Sequence, residues 1–212
     1  MTRWAPLSGI VFVALWIGGF AILVANSPGD SDADILSHYA NSGNRGGDQM
    51  GFFLILAAGL FFLWFLALLR SRLAHAEGEP GPYTALAFGA GLVASALWLV
   101  ADVFFMAISY TAQETKEFKV DPDTERLISE MGYLFFVIGT PVAALLVIST
   151  SLLAVKRGLV PKWLAWLGLV LAVPMLLIFF VVIPFLLFLG WVLVVSVVLI
   201  ARPATKETPA TT

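Results

Sequence analysis

Asp102 is the residue whose placement most invites chemistry. It is the single charge within residues 85–109, a stretch otherwise made of apolar and small residues. A carboxylate in such a run is costly, so it turns toward neighbouring helices and finds a partner, a proton or water. At 100° per residue, Gly91, Ser95, Trp98, Asp102 and Ser109 share one helical face. That face is small and polar, suited to close helix packing. Two uses of Asp102 follow. One is a proton or cation site, with Ser95, Trp98 and Ser109 beside it, about 10 Å below the end of the span. The other, the commoner case, is a structural hydrogen bond to an adjacent helix.

The other polar residues exclude more chemistry than they assign. His38 and His75 are the two histidines, and they fall in polar segments on opposite sides of the expected membrane. That leaves no axial pair for a haem and no His pair for zinc. There is no cysteine, and no lysine lies in a long apolar run, which excludes thiolate sites and a Schiff base at membrane depth. Hydrolase, zincin, phosphate-loop and dinucleotide-binding patterns are missing. The run Asp30-Ser31-Asp32-Ala33-Asp34 opens like a calcium-binding loop. Position six should then be Gly and is Ile35, and position twelve should be Glu and is Asn41. An acidic helix start explains the run better: Ser31 caps, Asp32 and Asp34 occupy the first turn, and Gly43 is the expected stop. No acid–base pair assembles at one depth, so no catalytic residue, metal or cofactor is assigned, and an enzyme is the least favoured class.

The elements that must position these residues are set by hydropathy. The chain has 212 residues, 60% of them hydrophobic and 12% charged, with a mean hydropathy of +0.94. Soluble domains are about a quarter charged. The net charge of −2 and the lack of a basic tract argue against a nucleic-acid partner. Residues 7–24, 51–69, 85–109 and 131–155 are each long enough to cross about 30 Å of hydrocarbon as helix. Residues 163–201 carry no charge and are too long for one crossing, so they divide. The break falls at Val182-Ile183-Pro184, because Pro suits a first turn and not a helix interior. Six spans result, at about 7–24, 51–69, 85–109, 131–155, 163–181 and 184–201, with a disordered tail over 203–212. The first span exceeds a signal-peptide core and is expected to be retained.

Basic residues orient the bundle. With both termini on one side, that side holds Arg3, Arg70, Arg72, Lys156, Arg157, Lys162, Arg202 and Lys206, and the other holds Arg45, Lys116, Lys119 and Arg126. The termini are therefore expected in the cytoplasm. The outer face is acidic, and His38, Tyr39 and Arg45 line an outer vestibule. Thr140 is placed to help satisfy the carbonyl that Pro141 frees in the fourth span.

Residues 156–168 form a cytoplasmic turn. Arg157 is a basic anchor, Gly158 a helix C-cap, Pro161 a helix start, and Trp163 and Trp166 headgroup anchors. The stretch resembles the pattern R-x-G-L-x-P-x-W-L-x-W-L-G of a large family of uncharacterised bacterial multi-pass membrane proteins. Residues 34–44 with Tyr39 and Arg45, and Leu-Arg-Ser-Arg-Leu at 69–73, are similar to further segments of that family. The resemblance implies a fold and no catalytic residues.

The reading is an all-α polytopic transmembrane helical bundle in the cytoplasmic membrane of a bacterium, a single domain over residues 1–202. Its first functional class is a non-enzymatic membrane protein that binds a partner or lipophilic ligand, as a homo-oligomer or accessory subunit within the lipid bilayer. The alternative is a small proton-coupled transporter that uses Asp102.

Overall fold

The computed structural model of the chain describes residues 6–78, 81–158, 161–177 and 182–201. The expected tail at 203–212 and the last residues of the fifth expected span lie outside that set. The described residues form seven α-helices and no strand. They are α1 (Leu7–Asn26), α2 (Asp32–Ala40), α3 (Ser42–Glu77), α4 (Pro82–Glu114), α5 (Pro122–Arg157), α6 (Lys162–Leu176) and α7 (Val182–Ala201). Among the described residues, α1, α3, α4, α5 and α7 are long and apolar enough to cross a membrane, while α6 is apolar but has only 15 residues. The chain is therefore a helical membrane protein.

Three helices run well past the apolar stretches that define them. Helix α3 starts at Ser42, where the Asn41 carboxamide accepts from Gly43 N–H at 2.8 Å. Gly43 is thus in the first turn of α3 and is not the stop of α2, which ends one residue before Asn41. The cap at Asn41 serves both helices, so no glycine terminator is needed. Helix α5 starts at Pro122 behind Asp121, whose carboxylate accepts from Thr124 N–H at 2.9 Å, and it continues unbroken through Pro141. The Thr140 hydroxyl donates to the Phe136 carbonyl at 3.2 Å. That is its own helical acceptor and not the carbonyl of Val137 that Pro141 leaves free. The expected break at Val182-Ile183-Pro184 is displaced toward the N-terminus: α6 ends at Leu176 with Leu177 extended, and Val182, Ile183 and Pro184 form the first turn of α7, where Pro is tolerated.

Small residues set the crossings. A Cβ at Gly19 of α1 would stand 2.9 Å from the Gly51 carbonyl of α3, so the two backbones touch there. A Cβ at Gly139 of α5 would stand 2.6 Å from the Trp98 indole nitrogen of α4, and one at Gly132 would be 3.1 Å from the Ala101 carbonyl. One at Gly9 of α1 would collide with Ser196 Oγ of α7, which brings the start of α1 beside the C-terminal half of α7. At that same end the Glu77 carboxylate of α3 accepts from Thr84 N–H at 3.0 Å and Thr84 Oγ1 at 2.7 Å, capping α4. The middle of the bundle is a buried aromatic cluster. Trp16 meets Phe185 at 4.3 Å between ring centroids, Trp98 meets Phe185 at 4.9 Å, and Phe12 meets Phe62 at 4.7 Å.

Candidate binding cavity under helix 2

Helix α2 lies across one end of the bundle because three side-chain links hold it there. His38 Nε2 pairs with Asp48 Oδ2 of α3 at 3.0 Å. The Tyr39 hydroxyl donates to Glu125 Oε1 of α5 at 3.3 Å. Arg126 of α5 donates to Asp32 at 2.5 Å and to the Asp30 carbonyl at 3.0 Å. Ile35 and Tyr39 pack on Ile108 of α4, with Phe118, Val120 and Ile128 around them. Ile35 and Tyr39 therefore face the bundle, while Leu36 stays 46% exposed and the acidic first turn faces out.

Beneath α2 is a cavity of about 420 Å³. Its walls are mostly aromatic and apolar, with Trp16 and Phe20 from α1, Trp98 and Phe105 from α4, and Tyr133 and Phe136 from α5. Its polar groups are His38, Tyr39, Asp48, Asp102, Glu125, Ser27 and Ser129. Phe12, Phe62 and Phe188, each at most 1% exposed, fill the bundle beyond it toward the opposite end.

The three carboxylates differ in how they are held. Asp48 is satisfied on both oxygens: Asn26 donates to Oδ1 at 2.6 Å, while His38 and the Ser109 hydroxyl meet Oδ2. Glu125 Oε1 accepts from Tyr39 and, at 2.8 Å, from Ser129 one turn along α5. Burial first, and then the nearby Glu125 and Asp48 charges, raise the pKa of the Tyr39 phenol, so it stays a neutral donor at any ordinary pH. Asp102 is different. It is 3% exposed, it lines the cavity, and its Oδ2 has no hydrogen-bond partner among the described residues. The Trp98 indole N–H one turn away is likewise unpartnered.

The face expected from spacing is buried as a unit: Gly91, Ser95, Trp98, Asp102 and Ser109 are all interior. They do not form one site, however. Trp98 and Asp102 line the cavity, and Ser109 supports Asp48 above it. Ser95 borders a separate small void with Phe12, Phe62 and Leu99. His38 and Tyr39 are at the cavity. Arg45 is not, because its guanidinium donates to the Tyr39 carbonyl. Neither Arg45 nor the exposed Lys116 reaches down to Asp102. Arg157 closes α5, Pro161 is the N-cap of α6, and Trp163 and Trp166 stay 60% and 58% exposed, all remote from the cavity.

No family model, curated protein or solved structure matches the chain. The cavity must be interpreted from its own residues.

Four polar residues of the site, Asn26, Asp48, Glu125 and Ser129, were not expected from the sequence, because they lie in polar segments. A signal for two of them exists. The buried positions of α3 run Asp48, Gly51, Ile55, Ala58, Phe62, Phe65 and Leu69, and continuing that phase backward puts Asp48 inside. On α5 the same extension from Gly139 through Gly132 reaches Glu125. The pairing of His38 with Asp48 also corrects the expectation that no acid–base pair meets at one depth. His38 is a buried residue of α2 and not a loop residue. Among the described residues, no group of three or more His, Cys, Asp and Glu has the arrangement to hold a metal.

Proposed function

We propose that this chain is a six-span protein of the bacterial cytoplasmic membrane that binds a small lipophilic molecule in the cavity under α2 and performs no chemistry on it. The carrying observation is the cavity itself. Its volume of about 420 Å³ is that of a ligand site, its walls are aromatic, and a few polar groups converge on it. The His38–Asp48 pair is consumed in fastening α2 to α3, which favours binding over acid–base catalysis. The motif-level resemblance of residues 156–168 supports grouping the chain with the uncharacterised bacterial multi-pass family.

Six spans with cytoplasmic termini are the topology that best accommodates the geometry. Val182 at the start of α7 lines the cavity together with Ser27, His38 and Glu125, whereas α5 ends at Arg157, beyond the opposite end of its apolar stretch. The chain must traverse the bundle between them, and α6 supplies about 22 Å of helix at 1.5 Å per residue. The excess of basic residues beside the termini then orients the α2 end outward.

N-phenyl-1-naphthylamine, a neutral fluorescent probe, tests the reading in detergent. Energy transfer from the cavity tryptophans Trp16 and Trp98 should rise saturably with wild-type protein. Ser129→Trp, which puts a bulky indole on the cavity wall, should abolish the saturable part. Uptake that never saturates, or that is equal in the Ser129→Trp variant, overturns the proposal.

A second reading, proton-coupled transport, is favoured by one observation: the unpartnered Asp102 carboxylate borders a cavity at the acidic end. Asp102→Asn in proteoliposomes should then abolish solute-coupled proton movement; unchanged movement removes this reading.

A further inference from the structure

The charge balance of the cavity selects among lipophilic ligands. Asp48, Glu125 and Asp102 line it, and the sole basic lining residue is His38; no Lys or Arg is among the described lining residues. The two arginines at the α2 end make hydrogen bonds outside the cavity. Arg45 serves the Tyr39 carbonyl, and Arg126 serves Asp32, Asp123 and the Asp30 carbonyl. Asp48 is matched by His38, Asn26 and Ser109, and Glu125 is held by two neutral hydroxyls. Asp102 has nothing. The residue is more than nine-tenths buried and lines a cavity large enough for a ligand, and its Oδ2, enclosed by protein, has no hydrogen-bond partner among the described residues.

A buried carboxylate without a partner is costly unless a cation or proton joins it. The surrounding rings point to the former. Trp16, Phe20, Trp98, Phe105, Tyr133 and Phe136 line the cavity, and aromatic rings of this kind stabilise a cation stripped of water. An anionic amphiphile would meet three carboxylates and one imidazole, which is repulsion in a poorly screened space.

Resting on the reading of the cavity as a lipophilic-ligand site, we infer that its occupant is a lipophilic cation, an organic ammonium or phosphonium with an aromatic or aliphatic body, whose charge is placed against Asp102. Neither the apolar walls nor Asp102 alone specifies this class. The walls alone would take any apolar molecule, and Asp102 alone would take a proton. An unpartnered carboxylate in an aromatic cavity, with no fixed cation nearby, favours an organic cation.

The test is displacement of N-phenyl-1-naphthylamine by two ions of nearly equal shape and opposite charge, tetraphenylphosphonium and tetraphenylborate. The readout is the ratio of their half-displacing concentrations within each protein, so variants that bind all probes more weakly still report it. Wild-type protein should favour the phosphonium by about tenfold or more, the scale of one added charge contact in a dry site. Asp102→Asn should bring the ratio close to unity, with Glu125→Gln giving a smaller reduction. Size-exclusion and thermal unfolding profiles check that each variant is folded. A ratio near unity in wild type, or a preference for the phosphonium that survives in Asp102→Asn, overturns the inference while leaving a lipophilic site intact. If the neutral probe shows no saturable binding, the underlying cavity reading fails instead, and the charge inference falls with it.

Discussion

Asp102 and Asp48 are carboxylates of opposite standing, and substitution should separate them. Asp48 accepts from Asn26, His38 and Ser109, so Asp48→Ala strands three donors and detaches α2 from α3. Leaving a buried donor without its acceptor costs about 1–3 kcal/mol, and with three donors stranded thermal unfolding in detergent should show a loss of at least that order. Asp102 supports no donor among the described residues. Asp102→Leu should therefore fold and gain stability, because it removes a polar group buried without compensation, a penalty of about 1–3 kcal/mol. A stability loss in Asp102→Leu would mean that the carboxylate is a structural acceptor after all. Of the two residues, only Asp102 was legible in the sequence, because a charge inside an apolar run has no ordinary explanation. Asp48 lies in Gly46-Gly47-Asp48-Gln49, where it looks like one more solvated acid, and only the backward phase of α3 marks it as interior.

At the scale of elements, the helices are longer than their apolar cores, and their caps decide where they begin. Asp121 starts α5 by accepting from both the N–H and the hydroxyl of Thr124, which holds its carboxyl below the usual carboxylate range. Because the folded value is the lower one, this stabilisation is fully present above the ordinary carboxylate pKa of about 4 and is lost as pH falls through the folded value. Protection of the first-turn amides of α5, taken relative to the intrinsic exchange rate at each pH, should fall on acidification below about pH 4, and Asp121→Asn should flatten that dependence. The crossing of α1 and α3 depends instead on shape. Gly19→Ala would press a methyl toward the Gly51 carbonyl at 2.9 Å, and backbone cannot yield as a side chain does. A loss of about 1–3 kcal/mol is expected, as for overpacked interiors. Gly18→Ala, with nothing within 4 Å of its Cβ, should be neutral or slightly stabilising in the same unfolding measurement.

For the whole molecule, hydropathy made the all-helical bundle readable, since apolar runs of membrane-spanning length admit few other folds. The cavity was not readable in the same way. It arises where α1, α4 and α5 leave a gap under α2, and its walls come from aromatic residues that look like any other lipid-facing or core positions until the helices are assembled. Sidedness rests on the basic-residue imbalance, and the chain offers a clean way to measure it because it contains no cysteine. Ser42 begins α3 under the α2 end, Thr115 caps the end of α4 near it, and Ser71 is toward the other end of α3; all three are exposed. Single cysteines at Ser42 and Thr115 should react with a membrane-impermeant maleimide on intact cells, while a cysteine at Ser71 reacts only after the membrane is opened. This pattern puts α2 and the three carboxylates outside, so that the cavity meets cations from the periplasmic or external phase before the cytoplasm does. The reverse pattern, with Ser71→Cys labelled on intact cells and the other two protected, would invert the protein and make the cavity a cytoplasmic one.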